Sequence, residues 1–138
     1  MASSHGLLTR NLERLGSLHL RVWAFSELWW VDRHLQALAT DALRAELPTN
    51  LQLLNQAQEQ EINRRVALIA WTARYHPCHP QCLHKSLVLY RWLHKKGIQA
   101  RLEVGWTGNI GHAWVSYNDQ VLNDNPDVAI STPPLLRI

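Results

Sequence analysis

The spacing of apolar residues changes near Gly97, and this change constrains the fold more than any other feature of the sequence. Before it, apolar side chains recur at steps of three and four residues, as in amphipathic helices. Beyond it, over residues 100–106, they alternate with polar ones, as in a half-buried strand. Helices followed by strands predict an α+β fold. A length of 138 residues predicts one domain, 1–138, with a helical part over 1–75 and a further helix and a sheet over 76–138.

Two long helices are predicted in the helical part. The first covers about residues 7–46 and ends before Pro48, and the second covers about 51–74, with Thr49 and Asn50 as candidate caps. Several Trp residues fall inside helical patterns, where we interpret them as core side chains, whereas a surplus of Trp on one face would indicate a protein-binding surface. These residues are Trp23, Trp29, Trp30, Trp71 and Trp92.

Two prolines, Pro77 and Pro80, end the helical part because proline disfavours helix in the residue before it. A third helix follows and stops at Gly97, which places Cys82 in its first turn. Strands over 112–117 and 121–124 then complete a small antiparallel sheet.

The bulk composition narrows the class of protein. The two cysteines are four positions apart and form no disulfide framework, which favours a reduced, cytoplasmic setting. No segment reaches the roughly 18 consecutive apolar residues of a membrane span. The formal charge is +3, and the densest basic pair, Lys95 and Lys96, falls at a helix end, where cations complement the helix dipole. We therefore expect no nucleic-acid partner and no membrane association.

A cysteine at a helix start, followed by a histidine and an acid, is the arrangement of cysteine peptidases and related acyl-transfer enzymes. A thiol attacks as its thiolate, which both a helix N-terminus and a neighbouring imidazole favour. The order here is Cys82, His112 and Asp124, with the histidine as general base and the acid orienting its ring. Asp119 and Asp127 compete for the third role, but Asp119 is a turn residue and Asp127 lies beyond the predicted strand.

The register of the last two strands decides whether this pair can form. A two-residue turn at Asn118 and Asp119 would set Asp124 beside Ala113, on the face away from His112. A three-residue connection sets Asp124 diagonal to His112, within reach of a carboxylate and an imidazole. The chemistry therefore predicts the longer connection, or a bulge.

An oxyanion hole is expected at the start of the third helix. The backbone N–H of Cys82 is one of the unpaired donors there, and the side-chain amide of Gln81 is a less specific second candidate. Ser86, one turn further on, is expected to bond back to a carbonyl of its own helix.

A cluster of imidazoles and thiols around Cys82 also suggests zinc, which prefers these ligands. The cluster consists of His76, Cys78, His79, Cys82 and His84. It lacks the second cysteine pair of a structural zinc site, so we expect no metal and no cofactor, and we interpret Cys78 as a bystander.

The segments CLHKSLVLYRWLHKKGIQARLEVGW and GHAWVSYNDQVLND resemble the bacterial transglutaminase-like cysteine peptidases of lasso peptide biosynthesis. The resemblance covers about residues 71–125 and includes a Cys-Leu helix start, a Gly-Ile step into a strand, a His-Ala-Trp strand and an Asp in the next strand. It implies a transglutaminase-like or papain-like fold, with Cys82 as nucleophile, His112 as base and Asp124 as orienting acid. Two features differ, since Gly111 stands where Ala is common and the loop before it is short.

By this resemblance, the activity is removal of the leader from a ribosomally made lasso peptide precursor, a hydrolysis that frees the α-amine of the core for a separate cyclase. Some members are fused to a winged-helix leader-recognition domain. The sequence has no segment of that kind, so a separate leader-binding protein is implied as a partner. Two alternatives stay open: an amine in place of water would make the enzyme a transamidase, and a chain with a structural cysteine would be a non-catalytic binding module.

Overall fold

The computed structural model describes residues 2–45, 52–107, 110–124 and 134–136, with the backbone alone for 2–17, 106–107, 110 and 134–136. Its helices are α1 (Ala2–Arg33), α2 (Leu35–Arg44), α3 (Gln56–Tyr75) and α4 (Cys82–Lys95). Its strands are β1 (Arg101–Thr107), β2 (Ile110–Tyr117), β3 (Gln120–Val121) and β4 (Pro134–Leu136). They form an antiparallel sheet in the spatial order β3-β2-β1-β4. The helices precede the sheet, which confirms the predicted α+β class.

Helix α4 is central to the described core. Its Leu87, Val88 and Leu93 side chains are fully buried, and the helix packs against α1, α3, β1 and β2. Burying an aliphatic side chain of this size stabilises a fold by about 1.5–3 kcal/mol. The helix ends before Gly97, whose φ of +80° lies in the left-handed region that favours glycine, so the predicted stop is confirmed. Packing on several neighbouring elements fixes the position of the first residue of α4, Cys82.

The first predicted helix is wrong in one respect, because it is interrupted at His34 and forms α1 and α2. The His34 ring stacks on Trp30, with ring centroids 4.3 Å apart, and its Nδ1 atom lies 2.9 Å from the Trp30 carbonyl oxygen. A side chain that competes for the carbonyl four residues back bends a helix. After the bend, α2 packs on α4 and β1.

The second helix begins at Gln56 and not near residue 51. Asn55 and Gln58 cap each other's backbone: Asn55 Oδ1 accepts from the Gln58 N–H at 2.8 Å, and Gln58 Oε1 accepts from the Asn55 N–H at 3.0 Å. This reciprocal capping box satisfies two N–H groups at the helix start and therefore fixes the boundary. The candidate caps Thr49 and Asn50 lie outside the described residues.

The interpretation of the Trp residues as core is right for Trp92, which is 7% exposed, and wrong for three others. Trp29, Trp30 and Trp71 are between 39% and 47% exposed. Helical spacing places them on helix faces, but only packing decides whether a face is covered. The alternative, a surface rich in aromatic side chains, is what the structure has.

We call this surface the aromatic face, and its residues are exposed apolar side chains of α1 and of the end of α3: Leu18, Val22, Phe25, Trp29, Trp71 and Tyr75. Phe25 and Trp29 contact the ring of His76, and their ring centroids lie 4.3 and 5.7 Å from the His76 centroid. The Arg21 guanidinium lies 5.0 Å from the centroid of the Trp71 ring. Exposed apolar surfaces of this kind are typical of protein-interaction sites. Within the described residues, no helix is long and apolar enough to cross a membrane.

The central strands β1 and β2 carry buried side chains on both faces. Leu102 and Val115 pair across the strands within the core that contains α4. Glu103, on the other face, is 1% exposed, although the alternation placed it among the polar residues. Its carboxylate accepts from Trp114 Nε1 at 2.6 Å and lies 3.7 Å from the Arg101 guanidinium. These partners offset the cost of burying the charge.

The outer strands differ from the prediction. β3 covers Gln120–Val121 in place of 121–124, and residues 122–124 form a bend. β4, which the sequence pattern did not predict, pairs with β1 from Val104 to Gly105, with a shift of register between them.

Candidate active site

Cys82 is the first residue of α4, and the residues before it determine that start. Pro80 disfavours helix in His79, which has a φ of +52°, and Gln81 is extended. The Gln81 N–H donates to His84 Nδ1 at 3.0 Å, so this side chain caps the helix from within its first turn. The first N–H groups of an α-helix, that of Cys82 among them, have no partner inside the helix. The predicted placement of Cys82 at a helix N-terminus is confirmed.

His84 ties the start of α4 to α1. Its Nε2 atom lies 2.9 Å from Asp32 Oδ1, while its Nδ1 atom accepts from Gln81. Both nitrogens of the ring therefore have protein partners, one in α1 and one before α4. Sequence analysis placed His84 among the zinc candidates and missed this role. Its position three residues after Gln81, where capping side chains occur, was the available signal.

The His76 ring, another member of the cluster considered for zinc, also binds protein groups. His76 Nε2 lies 3.0 Å from the Phe25 carbonyl oxygen, and His76 Nδ1 accepts from the Cys78 N–H at 3.2 Å. In the part of the chain that the structure describes, no group of three or more His, Cys, Asp or Glu side chains is arranged to hold a metal ion. Hydrogen bonds of the His76 ring therefore fix the segment before α4.

The environment of Cys78 disfavours its thiolate. Burial, and secondly the negative charge of Asp32, raise the pKa of the Cys78 thiol above its ordinary value. A raised pKa lowers the fraction of thiolate at neutral pH, and the thiolate is the reactive form. These surroundings support the interpretation of Cys78 as a bystander.

His112 lies on β2, opposite Gly105 of β1. Its Nε2 atom is in contact with Asp124 Oδ2. Each of the two side chains is 29% exposed, so the pair is accessible to solvent. Gly105 has no side chain that could cover the ring from the neighbouring strand. The structure thus brings together the predicted base and the predicted orienting acid.

The turn between β2 and β3 has two residues, so of the two predicted alternatives, a three-residue connection or a bulge, the first is wrong. Tyr117 pairs with Gln120, and the turn residues Asn118 and Asp119 have φ values of +50° and +64°. Positive φ at both central residues is the geometry of a type I′ turn, whose twist matches that of the flanking strands.

Asp124 contacts His112 despite this shorter turn. A regular ladder would carry Asp124 to the face away from His112, but pairing by β3 ends at Val121, and the bend over 122–124 redirects the carboxylate. The expectation of a longer connection assumed a regular ladder as far as Asp124, which the chain does not follow. The competing acid Asp127 lies outside the described residues.

A cavity of about 60 Å³ opens beside Cys82. Ala113 and Asn123, the chain neighbours of His112 and Asp124, form part of its wall. Its other lining residues are Val66, Ile69, Ala70, Lys85 and Leu89. No hydrogen bond joins the Cys82 sulfur to His112 in the described part of the chain, and bonds of this kind are often long before substrate binds. The structure therefore sets Cys82 next to the chain neighbours of the His112–Asp124 pair.

Two polar side chains near Cys82 have partners that the sequence did not indicate. The Gln81 amide Nε2, a candidate oxyanion donor, donates to the His79 carbonyl oxygen at 3.2 Å. The expected bond of Ser86 within its own helix is wrong, because its hydroxyl donates to the Ala113 carbonyl oxygen on β2 at 3.1 Å. Ser86 therefore links the cysteine helix to the histidine strand.

A sequence profile described as the Transglutaminase-like superfamily matches residues 27–135. The match covers more than half of the chain and includes Cys82, His112 and Asp124. This chain belongs to the Transglutaminase-like superfamily. No curated protein and no solved structure gives a significant match. A transglutaminase-like fold is typical of cysteine-dependent enzymes, so the membership supports the chemistry of cysteine peptidases and acyltransferases in general.

Proposed function

We propose that this transglutaminase-like chain is a cysteine peptidase that removes the leader peptide from a ribosomally made lasso peptide precursor. The observation that carries the proposal is the contact between His112 Nε2 and Asp124 Oδ2. His112 lies on β2, the strand to which Ser86 of the cysteine helix is hydrogen-bonded. Superfamily membership supports cysteine chemistry. The resemblance of the Cys-Leu and His-Ala-Trp segments to lasso leader peptidases supports the substrate class.

In this mechanism Cys82 is the nucleophile. Because Nε2 of His112 faces Asp124, Nδ1 is the nitrogen that takes the thiol proton, and the carboxylate stabilises the resulting cation. The sulfur then attacks the carbonyl carbon of the last leader residue. The Cys82 backbone N–H stabilises the oxyanion, with the Gln81 amide as a second candidate donor.

The intermediate collapses by breaking the peptide C–N bond. His112 gives its proton to the leaving nitrogen, which becomes the free α-amine of the core, and the leader stays on Cys82 as a thioester. Water then attacks the thioester while His112 takes a proton from it and returns that proton to the sulfur. The leader leaves with a carboxyl terminus, and the core is ready for a separate lasso cyclase.

A separate leader-binding protein is the proposed partner, and the proposed setting is the cytoplasm. The aromatic face supports a protein partner because exposed aromatic side chains are enriched at protein interfaces. Trp71 of this face directly follows Ala70, which lines the cavity beside Cys82. A protein bound to the aromatic face would therefore lie close to the cavity and could present the leader to it.

Mass spectrometry of a lasso precursor incubated with its leader-binding protein tests the proposal. We expect the wild type to yield leader and core whose summed mass exceeds that of the precursor by one water. Cys82→Ala is expected to leave the precursor intact. Cys78→Ala is the matched control, with the same substitution four residues away, and is expected to retain cleavage.

Cleavage by Cys82→Ala would contradict the proposed nucleophile. Adding a primary amine separates hydrolysis from transamidation, since a leader recovered as its amide would assign the acyl-enzyme to a transamidase. An intact precursor with wild-type protein, together with equal alkylation of Cys82 and Cys78 by iodoacetamide, would favour the non-catalytic binding module.

A further inference from the structure

The bend that carries Asp124 is held by the side chain of Asn123. The Leu122 N–H donates to the Val115 carbonyl oxygen at 2.8 Å, as in a regular ladder. In such a ladder the Val115 N–H would bond to the Leu122 carbonyl in return. It bonds instead to Asn123 Oδ1 at 2.8 Å. The amide oxygen thus replaces a backbone carbonyl, which allows the chain to turn after Leu122.

The other end of the same amide reaches the cysteine helix. Asn123 Nδ2 donates to Ser86 Oγ at 3.0 Å, and the Ser86 hydroxyl donates to the Ala113 carbonyl oxygen at 3.1 Å. Ser86 is fully buried. Each donor in this series of hydrogen bonds meets an acceptor, so the partners fix the orientation of the Asn123 amide. We call Ser86, Ala113, Val115 and Asn123 the amide joint.

Three members of the amide joint adjoin the proposed site in the chain. Ser86 lies one helical turn after the nucleophile, Ala113 directly follows the histidine, and Asn123 directly precedes the acid. Ala113 and Asn123 also line the cavity beside Cys82. A shift of α4, β2 or the bend relative to the other two would break a bond of the joint. In an active site, a misplacement of about 1 Å can cost about 100-fold in rate.

We infer that Asn123 is a positioning residue of this site. Its amide holds Asp124 against His112 and fixes the position of both relative to the start of the cysteine helix. The inference rests on the proposed function, in which His112 and Asp124 act on Cys82. Without the amide, the two-residue hairpin would extend its ladder and set Asp124 opposite Ala113, on the face away from His112. Asn123→Ala is therefore expected to lose the contact between Asp124 and His112.

Two readouts on the full chain, in a Cys78→Ala background, test this inference. The nitrogen-15 chemical shifts of the His112 ring, assigned with His112→Ala, report its hydrogen bond to Asp124. Iodoacetamide reports the reactivity of Cys82, since the attacking thiolate forms a C–S bond and displaces iodide. We expect Asn123→Ala to move the His112 signals to those of Asp124→Ala and to slow alkylation by about tenfold or more. Circular dichroism checks that the variant is folded.

Tyr117→Phe is the matched control. It removes the hydrogen bond from the Tyr117 hydroxyl to the Gln52 carbonyl oxygen. Tyr117 is the last residue of β2, the strand that contains His112. This variant is expected to leave both readouts at wild-type values. Ser86→Ala cuts the joint at its other end, should give the same change in the His112 signals, and supplies the test if Asn123→Ala does not fold. Because the two residues act through one joint, the double variant is expected to lose no more than either single variant.

Wild-type His112 signals in Asn123→Ala and Ser86→Ala would overturn the inference. Failure of the proposed function has a different signature, namely equal alkylation rates of Cys82 in the wild type and in His112→Ala. The chemical-shift readout remains decisive in that case because it depends on no reaction.

Discussion

The two cysteines of this chain are four residues apart and lie in contrasting surroundings. Cys78 lies in the turn between α3 and α4, where burial and the charge of Asp32 raise the pKa of its thiol. Cys82 is the first residue of α4 and borders a cavity that Ala113 also lines. Both cysteines are half-buried. Burial and the Asp32 carboxylate disfavour the thiolate of Cys78, whereas Cys82 lies at a helix N-terminus, a position that is typical of reactive cysteines.

One acid contributes to both environments. Asp32 raises the pKa of the Cys78 thiol, and it also bonds to His84, which caps the helix that begins with Cys82. The Asp32 carboxylate thus lowers the thiolate fraction of Cys78 and also anchors the helix that begins with Cys82. Substitutions at His112, at Asp124 and at Asp32 should therefore each change the difference in reactivity between the two thiols.

Of the substitutions considered, removal of His112 should most reduce the reactivity of Cys82 relative to that of Cys78. General acid–base catalysis contributes about 10²–10⁴-fold to rate, so we expect His112→Ala to slow leader cleavage by that factor. Chromatography of the cleaved precursor measures the rate. His19→Ala, at an exposed histidine of α1, is the control. Wild-type cleavage by His112→Ala would contradict the assignment of the base.

Asp124→Asn should have the next largest effect, because the amide cannot stabilise an imidazolium as a carboxylate does. A hydrogen bond to a charged group contributes about 1.5–3 kcal/mol, and about 1.36 kcal/mol is tenfold in rate, so cleavage should fall by about 10- to 100-fold. The same cleavage assay measures it. Asp119→Asn, at an exposed turn residue, is the control, and an equal loss in both variants would show that the carboxylate of Asp124 has no special role.

Asp32→Asn should have the smallest effect. It should reduce the difference in reactivity between the two cysteines by making Cys78 more reactive. Loss of the negative charge lowers the pKa of the Cys78 thiol toward its ordinary value, so more thiolate is present at any pH below it. Burial, the larger cause, remains, and we expect alkylation of Cys78 near neutral pH to rise by only about two- to fivefold. The asparagine oxygen can still accept from His84.

Peptide mass spectrometry after iodoacetamide treatment measures this change. Glu27→Gln, which removes a carboxylate of the same helix that pairs with Arg91 and Lys95, is the control and should leave Cys78 unchanged. A decrease in Cys78 alkylation in Asp32→Asn would contradict the cause assigned to its raised pKa.

Local patterns were sufficient to predict that helices precede strands and that Cys82 lies at a helix start. The change of period at Gly97 separates helices from strands, and Pro80 marks the start of the cysteine helix. Trp29 and Trp71 were misplaced in the core because periodicity identifies a helix face without telling whether another element covers it.

The geometry around Asp124 could not be predicted from the sequence. The Asn-Asp pair is compatible with a two-residue turn, and an ideal ladder after that turn excludes the contact with His112. The bend that restores the contact depends on a bond from Asn123 to Ser86, which is 37 residues away in the chain. Hydrophobic patterns report local structure and contain no information on a single long-range hydrogen bond.

Alkylation by iodoacetamide at neutral pH, resolved for each cysteine by peptide mass spectrometry, tests most directly whether Cys82 is an activated thiol. We predict that Cys82 reacts about tenfold or more faster than Cys78 in the same molecule, and that His112→Ala lowers this ratio of rates, while the raised pKa of Cys78 preserves part of it. Equal rates at the two cysteines of the wild type, or a ratio of rates that is unchanged in His112→Ala, would contradict the account.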